Sequence, residues 1–194
     1  MTFLLRSLRL VPAKKIHLLM RDHSETGNRL KNTVVKEPIE IVEAKSAEDY
    51  AEGKMLIEEY VAALGIDLHF QNILEEVANL ERIYGPPGGC LLLARYMSGV
   101  AGCVAIRRKE SAVCEMKRLY VRPTHRGVGL GRKLAENAIE CGRKIGYSRI
   151  FLDTLSSMTE AQSLYKSLGF RNTESYYENP LSGVRFLSLD IGAL

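Results

Sequence analysis

The chain has 194 residues, 46% of them hydrophobic and 26% charged, with 27 Lys and Arg against 23 Asp and Glu. That length buries a core of ordinary size and predicts one domain with a short extension. No window approaches the ~20 consecutive apolar residues of a membrane-spanning helix, which excludes such a span, and no membrane partner is expected.

The net charge of +4 is unevenly spread. Residues 1–36 hold eight Lys and Arg against only Asp22 and Glu25, so the rest of the chain carries a slight acid excess. The opening stretch, with arginines among leucines and no acid before Asp22, has the composition of an organellar transit segment, although it lacks serine richness. A disordered tail and a start assigned upstream stay open beside that reading. Residues 37–194 are expected to form the folded domain, with a cytoplasmic location and an organelle as the alternative. Within it, residues 37–89 hold twelve acids and three bases, and residues 107–133 hold nine bases and two acids. The four cysteines, Cys90, Cys103, Cys114 and Cys141, show no CxxC or zinc-like spacing, so buried thiols of a reducing compartment and no metal are expected.

In chain order, residues 39–44 alternate apolar and polar and predict a strand. Ser46 and Asp49 form a capping-box pattern opening a helix to about Leu64. A second helix is predicted over 69–80, and the Pro and Gly of 84–89 mark a loop. Residues 90–96, 99–108 and 112–121 read as three strands whose short connectors force an antiparallel meander. From Leu130 the period changes: Leu130, Leu134, Ala138, Cys141 and Ile145 share one helical stripe that ends at Gly146. A buried strand over 149–155, a helix over 159–168 closed by Gly169, and a final hairpin of 170–177 with 184–191 complete the chain.

The segment RLYVRPTHRGVGLGRKL (118–134) places Gly127, Gly129 and Gly131 at alternate positions between a strand and a helix. One glycine suffices for a tight turn. Three leave a row of uncovered backbone N–H groups at a helix start, where the dipole favours an anion, and Arg122, Arg126, Arg132 and Lys133 add positive charge. A dinucleotide fingerprint fails, because the third glycine position falls on Arg132 or Leu134, and no G-K-[ST] follows for a phosphate loop of the Walker type.

RGVGLG (126–131) resembles the [QR]-x-x-G-x-[GA] signature of the GNAT superfamily of N-acetyltransferases, and AQSLYKSLGF (161–170) resembles the family's second motif. Motifs and element order together cover residues 39–191. The resemblance implies an α/β (α+β) fold with a mixed, mostly antiparallel sheet, helices on both faces and the order β-α-α-β-β-β-α-β-α-β-β. It implies acetyl-coenzyme A (acetyl-CoA) as cosubstrate. The backbone of Leu119, Tyr120 and Val121 would pair with the pantetheine arm, and the amides of Arg126, Gly127, Val128, Gly129, Leu130, Gly131 and Arg132 would take the pyrophosphate. Thr154 would hydrogen-bond the arm.

By the same resemblance the reaction is direct attack of a primary amine on the thioester, with Tyr165 matching the thiolate-protonating tyrosine. Glu115, on an otherwise apolar strand, occupies a general-base position in some members. Burial would raise its pKa and suit it to that task, and pairing with Lys117 or Arg118 is the competing reading. The acceptor side falls on His69, Phe70, Asp153, Tyr177 and Asn179, and the acid excess of 37–89 reads either as favouring a cationic acceptor or as solvated helix faces. The acceptor, a small molecule or a peptide, stays open, as does a homodimer; no nucleic-acid partner is expected. The competing functional class is a regulatory or interaction module that binds coenzyme A without catalysis.

Overall fold

Local signals start and stop the helices, and the computed structural model, which describes residues 38–65, 72–97 and 99–192, follows most of them. The extension 1–36, with its targeting and disorder readings, and His69 and Phe70 lie outside the described residues. The elements are β1 (Glu40–Glu43), α1 (Ala47–Leu64), α2 (Ile73–Ala78), α3 (Leu80–Tyr84), β2 (Cys90–Tyr96), β3 (Gly99–Glu110), β4 (Val113–Val121), α4 (Leu130–Ile145), β5 (Arg149–Leu155), α5 (Thr159–Ser167), β6 (Arg171–Asn172) and β7 (Val184–Asp190), with a 3-10 turn at Pro123–His125. Ser46 caps α1 through the expected box: the Asp49 N–H donates to Ser46 Oγ at 3.1 Å, and the Ser46 N–H donates to the Asp49 carboxylate at 3.0 Å.

The sheet has seven strands in the order β1-β2-β3-β4-β5-β7-β6. Its pairs are antiparallel except β4 with β5. Alternate residues of the central strands feed two cores. Leu92, Val104, Met116 and Ile150 pack with α4, while Leu91, Leu93, Cys103 and Ala105 pack with α1 to α3. Covering on both faces is why β2 reads CLLLA rather than as an alternation. On α4, Leu130, Leu134 and Ala138 are buried as the stripe predicts. Burial of each leucine contributes about 1.5–3 kcal/mol.

Three expectations need correction. The helix predicted over 69–80 breaks at Asn79, whose side-chain amide donates to the Glu75 carbonyl at 3.0 Å and whose backbone leaves the helical region. Such local bonding competes with helix propagation, and α2 and α3 are the two pieces. The strand predicted over 170–177 is reduced to Arg171–Asn172, because Tyr176 and Tyr177 turn out of the sheet to pack their rings against Phe186. Cys103 and Cys114 are buried thiols as expected, but the sulfurs of Cys90 and Cys141 are in contact between β2 and α4, with Cα atoms 7.0 Å apart. A pairing across 51 residues leaves no local spacing to read.

Candidate active site

The site begins with an irregularity in β4. Ala105 of β3 pairs with Lys117 and Cys103 pairs with Tyr120, so Arg118 and Leu119 together face Val104. This is a bulge, and Arg118 takes a left-handed φ of 59°, which a non-glycine residue adopts only when its surroundings hold it there. Glu76 of α2 supplies that hold. Its two carboxylate oxygens each accept a hydrogen bond from the Arg118 guanidinium at 2.7 Å, and Glu76 also accepts from Tyr84 Oη at 2.7 Å. Burial alone would raise the Glu76 carboxyl, but the Arg118 hydrogen bonds and charge outweigh it and lower its pKa. β4 leaves β5 ahead of the bulge: their pairing runs only from Val113↔Arg149 to Glu115↔Phe151.

The divergence opens a cleft of about 830 Å³ between β4, the glycine turn and α5, bordered by Tyr120, Gly127, Gly129, Gly131, Met158 and Leu164. Gly127 and Gly129 have φ of 81° and 96°, and a side chain at either would be strained although space is open around both. Gly129 stands at the N-cap of α4 without any side-chain cap. Among the described residues, no backbone acceptor is bonded to the N–H of Gly127, Val128, Gly129, Leu130, Gly131 or Arg132. Six neighbouring donors at the positive end of a 16-residue helix await an anion of phosphate type. Arg126, Arg132 and Lys133 are exposed beside them. Arg122, counted with them in the sequence, is spent elsewhere: its guanidinium holds Glu59 at 2.7 and 2.9 Å and donates to the Val100 carbonyl.

At the inner end a crevice of about 70 Å³ is lined by Leu119, Asp153, Thr154, Tyr165 and Tyr60, among others. Tyr165 is buried with its ring edge-on to Phe170, and burial holds its hydroxyl above the ordinary tyrosine pKa, so it keeps its proton. Among the described residues its Oη has no hydrogen-bond partner, which a buried polar atom rarely tolerates without a ligand. Thr154 Oγ1 has only the Met158 sulfur, at 3.7 Å. These hydroxyls and the amide row, which ends 33 positions before Tyr165, fit an elongated ligand with an anionic group at the turn.

The other face of β4 carries charge. Glu115 is buried, but its carboxylate is fully engaged. Arg107 donates from Nε at 2.7 Å and Tyr176 donates from Oη at 2.9 Å, while Lys117 Nζ lies 3.7 Å away. Burial would raise the Glu115 pKa, yet Lys117 and Arg107 outweigh it and the carboxyl sits below its ordinary value, correcting the raised pKa expected from sequence. The partner is Lys117, as one reading had it, joined by Arg107; Arg118 belongs to Glu76. Asp153 lies on the same face, 3.3 Å from Lys117 Nζ and beside Tyr177, whose hydroxyl accepts from Asn179 at 2.7 Å.

Among the described residues, several acids of 37–89 are already paired with arginines. Asp49 and Glu52 hold Arg95, Glu59 holds Arg122 and Glu76 holds Arg118. Sequence reasoning also missed Arg107, Tyr176 and Glu76, and it named Lys117 only as a partner of Glu115. For Lys117 and Arg107 a signal existed. Lys117 shares the face of Glu115 by strand alternation, and a meander register sets Arg107 directly opposite Glu115.

A mixed sheet with one splayed parallel pair and an open amide row at the splay defines an acyl-coenzyme A-binding transferase fold. The model of the acetyltransferase (GNAT) family matches residues 53–170, and the chain belongs to that family. An uncharacterised N-acetyltransferase of Schizosaccharomyces pombe is 46% identical over 155 residues, covering 79% of this chain and 95% of the relative. N-acetylaspartate synthetase of Rattus norvegicus is 34% identical over 99 residues, half of this chain and 33% of that enzyme. An acetyltransferase of Salmonella typhimurium, solved with its cofactor acetyl-CoA, superposes with a TM-score of 0.57 at 21% identity, covering 79% of this chain and 94% of that one. By its family the protein is an acyltransferase.

Proposed function

We propose that the protein moves the acetyl group of acetyl-CoA onto the primary amine of a small molecule or peptide by direct attack. The observation that carries this reading is the run of six unpartnered amides, Gly127 to Arg132, leading to the buried, unpartnered hydroxyl of Tyr165. Acetyl-CoA supplies the activated carbonyl, and the residues supply positioning and proton transfer. The amides of 127–132 hold the pyrophosphate at the start of α4, and the free edge of Leu119 to Val121 holds the arm as an added strand would. Thr154 fixes the arm from β5.

Tyr165 gives its proton to the departing sulfur. A hydroxyl kept protonated by burial suits this role, since it meets the negative charge only as that charge develops. Glu115 is too fully engaged by Arg107, Tyr176 and Lys117 to be the first proton acceptor; it anchors the acceptor face. Asp153, at the crevice, takes the ammonium proton before attack.

Thiol release from acetyl-CoA over a panel of amines tests the activity. Tight binding of coenzyme A with no turnover on any amine would overturn it. Tyr165→Phe is expected to lower kcat by about 10²-fold, at the low end of general-acid contributions, with the dissociation constant for coenzyme A unchanged. An unchanged kcat would remove the tyrosine from the mechanism.

A further inference from the structure

On the acceptor face, at the mouth of the β4–β5 splay, the geometry points to a free α-amino acid as the acceptor. Its ammonium would be received by Asp153 and its carboxylate by Lys117. The inference rests on the acetyl-transfer reading above and deepens it.

The first argument is dipole length. Lys117 Nζ and Asp153 Oδ1 lie 3.3 Å apart, and both residues line the crevice that Tyr165 lines. In a free α-amino acid one carbon separates the ammonium nitrogen from the carboxylate carbon, so its charged atoms lie roughly 3 Å apart. Laid antiparallel to the Lys117–Asp153 pair, such a molecule meets each charge with its opposite.

The second argument is charge balance. Arg107, Lys117, Glu115 and Asp153 form a connected cluster of two cations and two anions, with the Glu115 and Lys117 side chains only 4% and 7% exposed. A buried balanced cluster accepts a dipolar ligand without leaving an uncompensated charge. When the carboxylate takes up Lys117, Glu115 remains on the far side of that ammonium, and Asp153 is freed for the incoming amine. A polyamine would bring a second cation toward Lys117, and a peptide N-terminus would offer it a neutral amide. Leu119, Leu155 and Leu181 line the same crevice as the pair and provide an apolar wall for the amino-acid side chain.

The proton balance closes. The ammonium gives one proton to Asp153, and the neutral nitrogen forms the N–C bond as the C–S bond breaks. Tyr165 protonates the sulfur and regains a proton from the second N–H as the amide forms, and Asp153 releases the first to solvent. One amide, one thiol and one proton result.

The test is kcat/KM by thiol release with free L-aspartate, L-leucine and L-phenylalanine, their α-amides, a dipeptide and spermidine. At least one free acid is expected to exceed its amide by tenfold or more. Lys117→Met should bring that ratio close to one, chiefly through KM. Because that change unbalances a buried cluster, the charge-balanced double variant Lys117→Met with Asp153→Asn, which also lacks the proton acceptor, is read by calorimetric titration instead and should lose the same preference for acid over amide in binding. Amides or spermidine used as well as the acids, or a preference for acid over amide unmoved in both variants, would overturn the proposal. Calorimetric titration of the coenzyme A-loaded protein with each acid and amide gives a readout without turnover. Preferential binding of an acid upholds the site even if acetyl transfer fails, and equal binding or none for acid and amide overturns it.

Discussion

The two halves of the site are built from different materials. The half proposed to hold the cofactor is backbone: two glycines at positive φ, a helix start and six amides without partners among the described residues, with exposed arginines around them. The half proposed to face the acceptor is side chains: Glu76 with Arg118, Arg107 with Glu115, and Lys117 with Asp153, with Tyr84 bonded to Glu76 and Tyr176 to Glu115. A backbone site depends on conformation and tolerates side-chain change, whereas a buried ionic network depends on every member, since deleting one leaves its partner charged and alone.

The largest effect should therefore come from the network. Glu76→Ala strands the buried Arg118 guanidinium and is expected to cost about 3–5 kcal/mol of stability by denaturant titration. A loss below about 1 kcal/mol would show that water reaches Arg118 and that the bulge does not depend on Glu76. The pH dependence follows from the same carboxylates. Glu76 and Glu115 are held below their ordinary value of 4.5, so their contribution is complete above that value and fades as pH falls through the lower folded value. Melting temperature should stay level from neutral to mildly acid pH and drop below it, and Glu76→Gln should flatten that drop.

On the cofactor half, Gly129→Val should weaken coenzyme A binding about tenfold or more while global stability falls by about 1–2 kcal/mol, the cost of a left-handed non-glycine residue. Affinity lost only in proportion to unfolding would contradict an amide site. The smallest effect is expected from Arg132→Ala. Its guanidinium is exposed, with Glu136 at 3.5 Å and Ser167 at 2.6 Å, so stability should move by under about 1 kcal/mol. A large loss of cofactor affinity there would shift weight from backbone to side chains.

The same contrast governs what the sequence discloses. Glycine spacing, the α4 stripe and the Ser46–Asp49 box are local patterns, and they predicted the turn and the boundaries of α1 and α4 within a residue or two. The bulge at Arg118 left no such mark, because a buried arginine at positive φ is set by a glutamate 42 positions earlier. The direction of the Glu115 pKa was misread for a related reason. Burial was inferred from its apolar neighbours, but the three groups that hold it come from β3, β4 and the loop before β7. The departure of Tyr176 and Tyr177 from the last hairpin is likewise a matter of ring packing with Phe186, which strand propensity does not report.

A 1H–15N titration with coenzyme A addresses the division between the halves most directly. The amides of Gly127, Val128, Gly129, Leu130, Gly131 and Arg132 are expected to shift strongly downfield as they acquire phosphate partners. The amides around Arg107 and Glu115 should scarcely move until an acceptor is added. Silence across Gly127 to Arg132 at saturating coenzyme A would contradict a backbone-built cofactor site.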